Sequence, residues 1–210
     1  MLKILICDDH PVVRRGLKQI IADTADMAIG DEATNGWEVL NKVRASDYNV
    51  VLLDIAMPGM DGLDVLTQLK HEKPRLPVLM LSTYPEEQFA VRALRAGASG
   101  YVTKESAPDE LIGAIRKVSA GGKYVSSTLA EKLALDLTSG GEQPPHETLS
   151  DREYRVMCLI ASGKTVMEIA RELSLSVKTI STYRRRILDK MKMKNNAVLT
   201  HYAISRRLVD

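Results

Sequence analysis

Residues 50–62 read VVLLDIAMPGMDG. The stretch opens with four apolar residues, at 50–53, and an acid, Asp54, follows them directly. An unbroken apolar run indicates a strand that is buried on both faces, as in a parallel sheet, because a strand with one solvated face alternates polar and apolar residues. The stretch therefore predicts an inner parallel strand that ends at a carboxylate.

Similar apolar runs recur through the first 105 residues. They lie at 4–7, 78–81 and 100–102, and residues 28–34 are a weaker candidate. Segments with helical periodicity separate the runs, near 11–24, 36–45, 62–71, 86–96 and 108–120. This alternation predicts an α/β doubly wound domain of the flavodoxin-like kind, with a five-stranded parallel sheet. Such folds hold their functional sites outside the carboxyl ends of the strands.

The pattern changes after Gly122. Residues 127–137 predict a connecting helix, and residues 138–148, TSGGEQPPHET, have the composition of a flexible linker. The remainder has helical periodicity without a strand pattern, and it opens with Ser150 followed three residues later by Glu153, a capping box. We therefore divide the chain into residues 1–122, a connecting segment at 123–148, and a small all-α domain at 149–210.

Positive charge is concentrated in the last of these segments. Residues 149–210 have 13 lysines and arginines against 6 acids, a net charge of +7, whereas the whole chain carries +2. A basic segment joined to a mildly acidic body predicts a module that binds a polyanion.

Three features of the sequence predict a cytoplasmic protein. No stretch approaches the roughly 18 consecutive apolar residues of a membrane span, so we expect no membrane contact. The N-terminus, MLKILICDDH, lacks the long apolar region and the cleavage site of a signal peptide. Cys7 and Cys158 both lie in apolar patterns, which favours buried free thiols, as in a reducing compartment, over a disulfide or a metal pair.

Acidic residues follow two of the predicted strands. Asp8 and Asp9 come directly after the run at 4–7, as Asp54 does after its own run. An Asp-Asp pair in such a place is often only a solvated turn. If the two strands are neighbours, however, three carboxylates converge at one edge of the sheet, which is electrostatically costly unless a cation is present. All-oxygen ligands suit Mg²⁺.

Two other polar residues stand at the ends of the remaining strands. Ser82 follows the run at 78–81, and Lys104 comes shortly after the run at 100–102. Either residue alone is usually only part of the surface or a helix cap, but their joint placement with the acids favours one cleft. A carboxylate nucleophile, a divalent cation, an ammonium and a hydroxyl are together the parts needed for phosphoryl transfer to an aspartate.

The basic segment contains two helices joined by a short turn. Residues 165–173, TVMEIAREL, predict an amphipathic helix, and the next three residues predict a turn in which Ser176 caps the second helix. That second helix, at 177–191, has Ile180, Ile187, Leu188 and Met191 on one face and a basic opposite face. A basic charge run is usually only a solvated face, but here the preceding helix and turn indicate a helix-turn-helix, whose second helix fits the major groove of DNA.

Residues 1–120 resemble a receiver domain through the motifs ICDDH, LLDIAMPGMDG, LMLS and GYVTK, which occur in that order. The resemblance implies that Asp54 is the phosphoacceptor. It also implies that Mg²⁺ is bound directly by Asp9, Asp54 and the backbone carbonyl of Ala56, while Asp8 assists through water.

The same resemblance implies roles for three residues at the other strand ends. Ser82 would hydrogen-bond the phosphoryl group, Lys104 would neutralise it, and Tyr101 would be the aromatic side chain that reorients on activation. Many receivers have proline after the lysine, whereas this chain has Glu105, so a cis peptide bond is not expected there.

A magnesium-dependent phosphatase with an aspartyl nucleophile is the competing enzymatic interpretation. The haloacid-dehalogenase type needs a second aspartate two residues after the nucleophile as its general acid. Ala56 occupies that position, which argues against the phosphatase and favours a protein that is not an enzyme.

Residues 149–210 resemble the LuxR-type helix-turn-helix, and with a receiver in front the chain resembles the NarL/FixJ class of response regulators. Among the residues that the resemblance places on DNA, one set faces base edges: Ser181, Thr182 and Arg185. The other set touches phosphates: Lys178, Thr179, Arg184 and Lys190. Tyr183 stands where many relatives have histidine. The last helix, at 196–208, either only packs against the recognition unit or also pairs two protomers on DNA.

These features together predict a DNA-binding transcriptional response regulator of a two-component phosphorelay. We expect a sensor histidine kinase to activate it by phosphorylating Asp54, and we expect a homodimer on double-stranded DNA when it is phosphorylated. The alternative is a regulator whose receiver never uses phosphate and whose DNA binding is controlled by a protein partner.

Overall fold

The computed structural model describes residues 1–106, 108–126, 129–131, 144–206 and 208–209. Two compact units make up the chain, Met1–Leu133 and Ala134–Asp210.

A five-stranded parallel sheet forms the centre of the first unit. Its strands are β1 (Leu2–Cys7), β2 (Met27–Ala33), β3 (Val50–Asp54), β4 (Val78–Ser82) and β5 (Gly100–Thr103). They lie in the order β2-β1-β3-β4-β5, and every neighbouring pair is parallel. All residues of β3 and β4 are buried, as the unbroken apolar runs predicted. The doubly wound parallel fold is confirmed.

Five helices alternate with these strands. They are α1 (Pro11–Ala22), α2 (Gly36–Ala45), α3 (Gly62–Glu72), α4 (Glu86–Arg95) and α5 (Pro108–Ser119). Side chains cap two of them, since Asn35 accepts from the backbone of α2 and Asp61 from that of α3. A Cβ on Gly62 would lie 2.1 Å from the carbonyl oxygen of Asp54. Glycine is therefore required for α3 to begin directly against the end of β3.

One apolar core cluster lies between the sheet and the helices α1 and α5. It joins β-strand residues such as Ile6, Leu52 and Leu79 to Leu17 of α1 and Ile115 of α5. Cys7 and Cys158 are both buried and free, as expected. Their packing needs no disulfide.

The predicted connecting segment is described only in part. Tyr124 N–H donates to the carbonyl of Ser99 at 2.9 Å, so the chain runs back along the outer edge of β5 after α5. Residues 129–131 are helical, but the rest of the expected helix at 127–137 and residues 138–143 of the expected linker lie outside the described residues.

The end of the expected linker is ordered in the second unit. Pro145–Thr148 form a 3-10 helix, in which the Thr148 hydroxyl donates to the carbonyl of Pro145 at 2.7 Å. His146 Nδ1 lies 2.8 Å from the hydroxyl of Tyr202 on the last helix of the chain. The composition TSGGEQPPHET indicates a loop, but this aromatic contact with a distant helix holds its last residues in place.

Four helices follow in the second unit: α6 (Asp151–Ala161), α7 (Val166–Glu172), α8 (Val177–Lys190) and α9 (Asn196–Ser205). Capping boxes begin α6 and α7, and Ser176 caps α8 as predicted. Ser174, in the turn between α7 and α8, has a φ of 52°. Leu199 and Ala203 of α9 are buried, whereas Val198 and Ile204 are about half exposed. No helix among the described residues is long and apolar enough to cross a membrane.

Candidate functional site

Four acidic or metal-binding side chains meet at the carboxyl ends of β1 and β3. These strands are neighbours, with Cys7 paired to Leu53, so the residues that follow each strand are brought together. Asp8 and Asp54 are fully buried, and the side chain of Asp9 is 29% exposed. One ligand atom from each of Asp8, Asp9, His10 and Asp54 lies within 4.8 Å of the others. The predicted convergence of three carboxylates is present.

Lys104, which follows β5, provides the positive charge of this acidic pocket. Its Nζ lies 2.6 Å from Asp8 Oδ2 and 2.8 Å from Asp54 Oδ2, and its side chain is 9% exposed. Burial lowers the pKa of Lys104, but attraction to Asp54 and Asp8 outweighs burial and raises that pKa overall. Burial raises the pKa of Asp54, against the opposing effect of Lys104. The ammonium therefore remains charged between the two carboxylates.

The pocket keeps an excess of negative charge. Three carboxylates face one ammonium, which leaves a formal charge of −2 when all are ionised. Asp8 Oδ2, Asp9 Oδ1 and Asp54 Oδ2 are buried, and each has a nitrogen at ion-pair distance, yet none accepts a hydrogen bond of good geometry. Buried oxygens in this state are costly by themselves. The charge and the oxygen donors fit one divalent cation.

Backbone contacts hold the acidic side chains in place. Asp8 Oδ1 accepts from the His10 N–H at 2.8 Å, and Arg14 Nη1 donates to the Asp8 carbonyl at the same distance. The Ala56 N–H donates to Asp54 Oδ1 at 3.2 Å, so Ala56 lies beside the pocket. Cys7 is buried under the pocket, and burial together with the charge of Asp54 raises the pKa of its thiol.

Ser82 and Tyr101 meet at the backbone of Tyr84. Ser82 is fully buried, and its Oγ accepts from the Tyr84 N–H at 2.9 Å. Tyr101 is 1% exposed, and its hydroxyl donates to the Tyr84 carbonyl, also at 2.9 Å. Burial raises the pKa of the Tyr101 hydroxyl, which stays protonated as a donor. The ring of Tyr101 is therefore buried, with its hydroxyl held by the backbone of Tyr84.

His10 is the pocket residue that the sequence analysis missed. It follows the acid pair directly in the motif ICDDH, and this adjacency was the available signal. Its Nδ1 lies 2.9 Å from Asp9 Oδ1 and 3.2 Å from Asp8 Oδ1.

The second unit presents the predicted recognition helix, α8. Its apolar face is confirmed, since Ile180, Ile187 and Met191 are buried. Most of the residues predicted to contact DNA are exposed on α8: Lys178, Ser181, Thr182, Arg185 and Lys190. Thr179 and Arg184 are half-buried.

Two of the predicted DNA contacts also have partners within the second unit. Arg184 Nε donates to Asn196 Oδ1 at 2.7 Å and joins α8 to α9. Lys190 Nζ lies 2.6 Å from Glu153 Oε2, whose side chain is 5% exposed, and joins α8 to α6. The side chain of Arg185 is 86% exposed, with Asp189 at 3.9 Å. Arg184 and Lys190 therefore help to join α8 to its neighbouring helices, whereas Arg185 is left largely exposed.

Comparison with known families gives two matches that lie in series along the chain. Residues 4–116 match the response regulator receiver domain, and residues 147–203 match the bacterial regulatory proteins of the luxR family. The first match alone covers more than half of the chain. The two matches fall in the α/β unit and the helical unit respectively.

Relatives and solved structures resemble the chain over nearly its whole length. Response regulator UvrY of Escherichia coli K12 is 34% identical over 100% of this chain and 97% of its own length. Response regulator GacA of Pseudomonas aeruginosa is 35% identical over 100% of this chain and 99% of its own.

A solved structure extends this likeness to the fold. RcsB of Salmonella enterica serovar Typhimurium, bound to promoter rprA with phosphomimetic BeF3-, has a TM-score of 0.66 and 26% identity, covering 96% of this chain and 97% of that one. The paired domains, the full-length relatives and the matching fold establish that this chain belongs to the NarL/FixJ class of two-component response regulators, which are DNA-binding regulators and not enzymes.

Proposed function

We propose that Asp54 is the phosphoacceptor of this regulator and that its phosphorylation by a sensor histidine kinase controls DNA binding in the cytoplasm. The observation that carries the proposal is the buried pairing of Asp54 with Lys104 at 2.8 Å beside the acid pair Asp8–Asp9. A buried carboxylate at the end of a parallel strand is a candidate functional group. The ammonium in contact with it is placed to stabilise the negative charge of a phosphoryl group added to that carboxylate.

The proposed reaction is a displacement at phosphorus. A carboxylate oxygen of Asp54 attacks the phosphorus of the kinase's phosphohistidine, and an O–P bond forms as the N–P bond breaks. The leaving imidazole nitrogen keeps the electron pair of that bond. Lys104 then lies within reach of the new phosphoryl oxygens, and the buried hydroxyl of Ser82 is a donor at the neighbouring strand end. Catalysis of this kind is mainly positioning and charge stabilisation.

Mg²⁺ is the proposed cofactor. Asp9, Asp54 and the backbone carbonyl of Ala56 would hold it directly, with Asp8 assisting through water. When bound, the ion neutralises the charge that develops on the transferred phosphoryl group. The formal charge of −2 on the pocket supports this assignment.

Ser82 and Tyr101 are the proposed switch residues. Both contact Tyr84, Ser82 through its oxygen and Tyr101 through its hydroxyl. A phosphoryl group that draws Ser82 towards Asp54 would act on the same short segment that receives Tyr101. Phosphorylation shifts the population only if the two arrangements of this segment differ in their affinity for the phosphoryl group.

Helix α8 is the proposed reading element for double-stranded DNA. We assign Ser181, Thr182 and Arg185 to base edges. We assign phosphate contacts to Lys178, Thr179, Arg184 and Lys190. Exposure of Arg185 and Lys178 supports their roles. Arg184 also donates a hydrogen bond to Asn196, and Lys190 also pairs with Glu153, so these two would contact phosphates while keeping partners within the protein. Phosphate contacts position the helix, and base contacts discriminate between sequences.

We also propose that the chain is divided into a receiver at residues 1–122, a connecting segment at 123–148 and a DNA-binding domain at 149–210.

Phosphorylation, we propose further, promotes a homodimer. One helix-turn-helix reads only a short half-site, whereas two read a pair of half-sites with greater discrimination. The half-exposed Val198 and Ile204 of α9 leave apolar surface available for pairing in the second unit.

Intact mass spectrometry tests the phosphoacceptor. The full chain is incubated with Mg²⁺ and acetyl phosphate, and we expect one added phosphoryl group that is absent from Asp54→Asn and retained in the control Asp109→Asn, an exposed position on α5. Phosphorylation of Asp54→Asn would refute the assignment. No phosphorylation of the wild type, by acetyl phosphate or by kinase, would favour control by a protein partner.

Beryllofluoride tests the coupling to assembly. With Mg²⁺ and beryllofluoride we expect light scattering to show a larger dimer fraction and DNA binding to tighten. Tyr101→Ala should weaken both responses while phosphorylation of Asp54 persists. Tighter DNA binding at an unchanged mass would refute the dimer mechanism.

A further inference from the structure

The imidazole of His10 lies at the mouth of the acidic pocket and faces the carboxylates of Asp8 and Asp9. His10 is the N-cap residue of α1, but its side chain makes no capping hydrogen bond. The His10 backbone N–H donates to Asp8 Oδ1 at 2.8 Å, and the ring Nδ1 lies 3.2 Å from the same oxygen. The His10 side chain is 61% exposed, so the ring is open to an incoming ion, while the carboxylate oxygens behind it are buried.

The position of the ring matches the spacing of two ligands on one metal ion. His10 Nδ1 is 2.9 Å from Asp9 Oδ1 and 3.2 Å from Asp8 Oδ1. Around an octahedral ion with bonds of about 2.1 Å, neighbouring ligand atoms lie about 3 Å apart. Around a tetrahedral ion with bonds of about 2.0 Å, they lie about 3.3 Å apart. One ion can therefore touch the ring nitrogen and a carboxylate oxygen without a change in their separation.

The ring nitrogen of His10 faces the carboxylates of both acids. Nδ1 lies within hydrogen-bond distance of Asp8 Oδ1, and it is nearer still to Asp9 Oδ1, which is buried and accepts no hydrogen bond of good geometry. A ligand atom of Asp54 lies within 4.8 Å of this group, so an ion that contacts the ring can also contact the buried carboxylates.

We infer that His10 supplies a nitrogen ligand that makes the pocket bind divalent transition-metal ions more tightly than Mg²⁺. The inference rests on the proposed function, since it concerns the same metal site. Mg²⁺ takes oxygen ligands and dehydrates reluctantly, so the imidazole adds little to its binding. Cobalt, nickel and zinc ions accept imidazole readily, and for them the ring adds a bond. His10 thus sets the metal selectivity of the receiver.

Titration of the full chain with Co²⁺ tests this inference. Proton NMR should show ring protons of one histidine shifted far outside the usual range by the paramagnetic ion, and these signals should be missing from His10→Gln. Calorimetric competition should show the preference for Co²⁺ over Mg²⁺ falling by about tenfold or more in His10→Gln, since even outer-shell partners of metal ligands are worth about 10- to 100-fold in affinity. His71→Gln, an exposed position at the end of α3, is the control and should keep both properties.

The outcomes separate this inference from the proposed function. An unchanged preference in His10→Gln, or shifted ring protons that persist in it, overturns the inference and leaves the magnesium site in place. Asp54→Asn gives the other comparison. If neither Co²⁺ nor Mg²⁺ binds more weakly to Asp54→Asn, the acidic pocket is not the metal site, and both proposals fail.

Discussion

The acidic pocket and the recognition helix use charge in opposite ways. Asp8 and Asp54 are fully buried and depend on Lys104, which is itself 9% exposed. Arg185 on α8 is 86% exposed, and its nearest acid is 3.9 Å away. A buried charge interacts strongly with its neighbours and is costly when they are removed, whereas an exposed charge is screened by water and salt. Loss of a charge in the pocket should therefore lower the stability of the fold, whereas loss of a charge on the surface of α8 should lower the affinity for DNA and change stability little.

Removing the buried ammonium should have the largest effect on stability. Lys104→Met leaves Asp8 and Asp54 buried beside each other without their common partner. We expect the receiver to lose about 3 kcal/mol of unfolding free energy, the usual order for breaking a buried ion pair. Urea unfolding followed by the fluorescence of Trp37, the chain's one tryptophan, reports on this unit.

An exposed ion pair in the same unit is the matched control. Lys73 contacts Asp47, whose side chain is 97% exposed, so Lys73→Met should change stability by less than about 1 kcal/mol. Equal losses in the two variants would show that the pocket is not the more sensitive region.

The next largest effect concerns sequence discrimination by α8. Arg185→Ala should reduce the preference for specific over random duplexes by about 1–3 kcal/mol, because a good base contact is worth that much. Lys178→Ala should weaken binding to both duplexes alike and reduce the salt dependence, because a phosphate contact releases counterions from any sequence. Fluorescence anisotropy at several salt concentrations measures both. Equal weakening of the two duplexes by Arg185→Ala would contradict its base-reading role.

Glu153 is a buried carboxylate of the second unit that is paired with a lysine, Lys190, as Asp54 of the acidic pocket is paired with Lys104. Burial raises its pKa, but hydrogen bonds from Lys190 and from Ser150 outweigh burial, so its pKa is lowered from 4.5. A folded-state pKa below the unfolded value gives stability that is present above pH 4.5 and is lost as the pH falls through the folded value. Glu153→Gln keeps the capping box and removes only the charge, so we expect a loss of about 1 kcal/mol at pH 7.

Hydrogen exchange of the α6 amides measures this loss. The difference between Glu153→Gln and the wild type should shrink as the pH is lowered below 4.5. Glu168→Gln changes the equivalent capping residue of α7, which is exposed, and should have a smaller effect. A difference that stays constant with pH would show that the charge contributes nothing.

The last expected effect is on a rate, the lifetime of the phosphorylated receiver. Ala56 offers no polar group to orient a hydrolytic water. Tyr84, two residues after Ser82, has a bulky ring that could screen this water, and the ring packs against Phe89 with the ring centroids 4.9 Å apart. Ala56→Asn should hasten dephosphorylation by up to about tenfold, which corresponds to about 1.4 kcal/mol in the barrier. Decay of the added mass with time measures the rate. An unchanged or slower decay would contradict this role of position 56.

Local patterns predicted most of the fold. The apolar runs at 50–53 and 78–81 became fully buried strands, and the capping signals at Ser150 and Ser176 begin helices in the structure. The acidic pocket followed from the strand ends together with one long-range condition, since Asp8, Asp9 and Asp54 meet only because β1 and β3 are neighbours. Unbroken strands, caps and strand ends are properties of a few consecutive residues, so a single sequence is enough to recognise them.

The pairing of particular side chains had to come from the tertiary structure. Neither the contact of Lys190 with Glu153 nor that of His146 with Tyr202 follows from any local pattern. Each contact depends on where a second helix or strand places its partner, and on which rotamer the surrounding packing allows. The sequence therefore identified the residue types and the elements that hold them, whereas the tertiary structure decided which of these side chains contact each other, because the partners lie far apart in sequence.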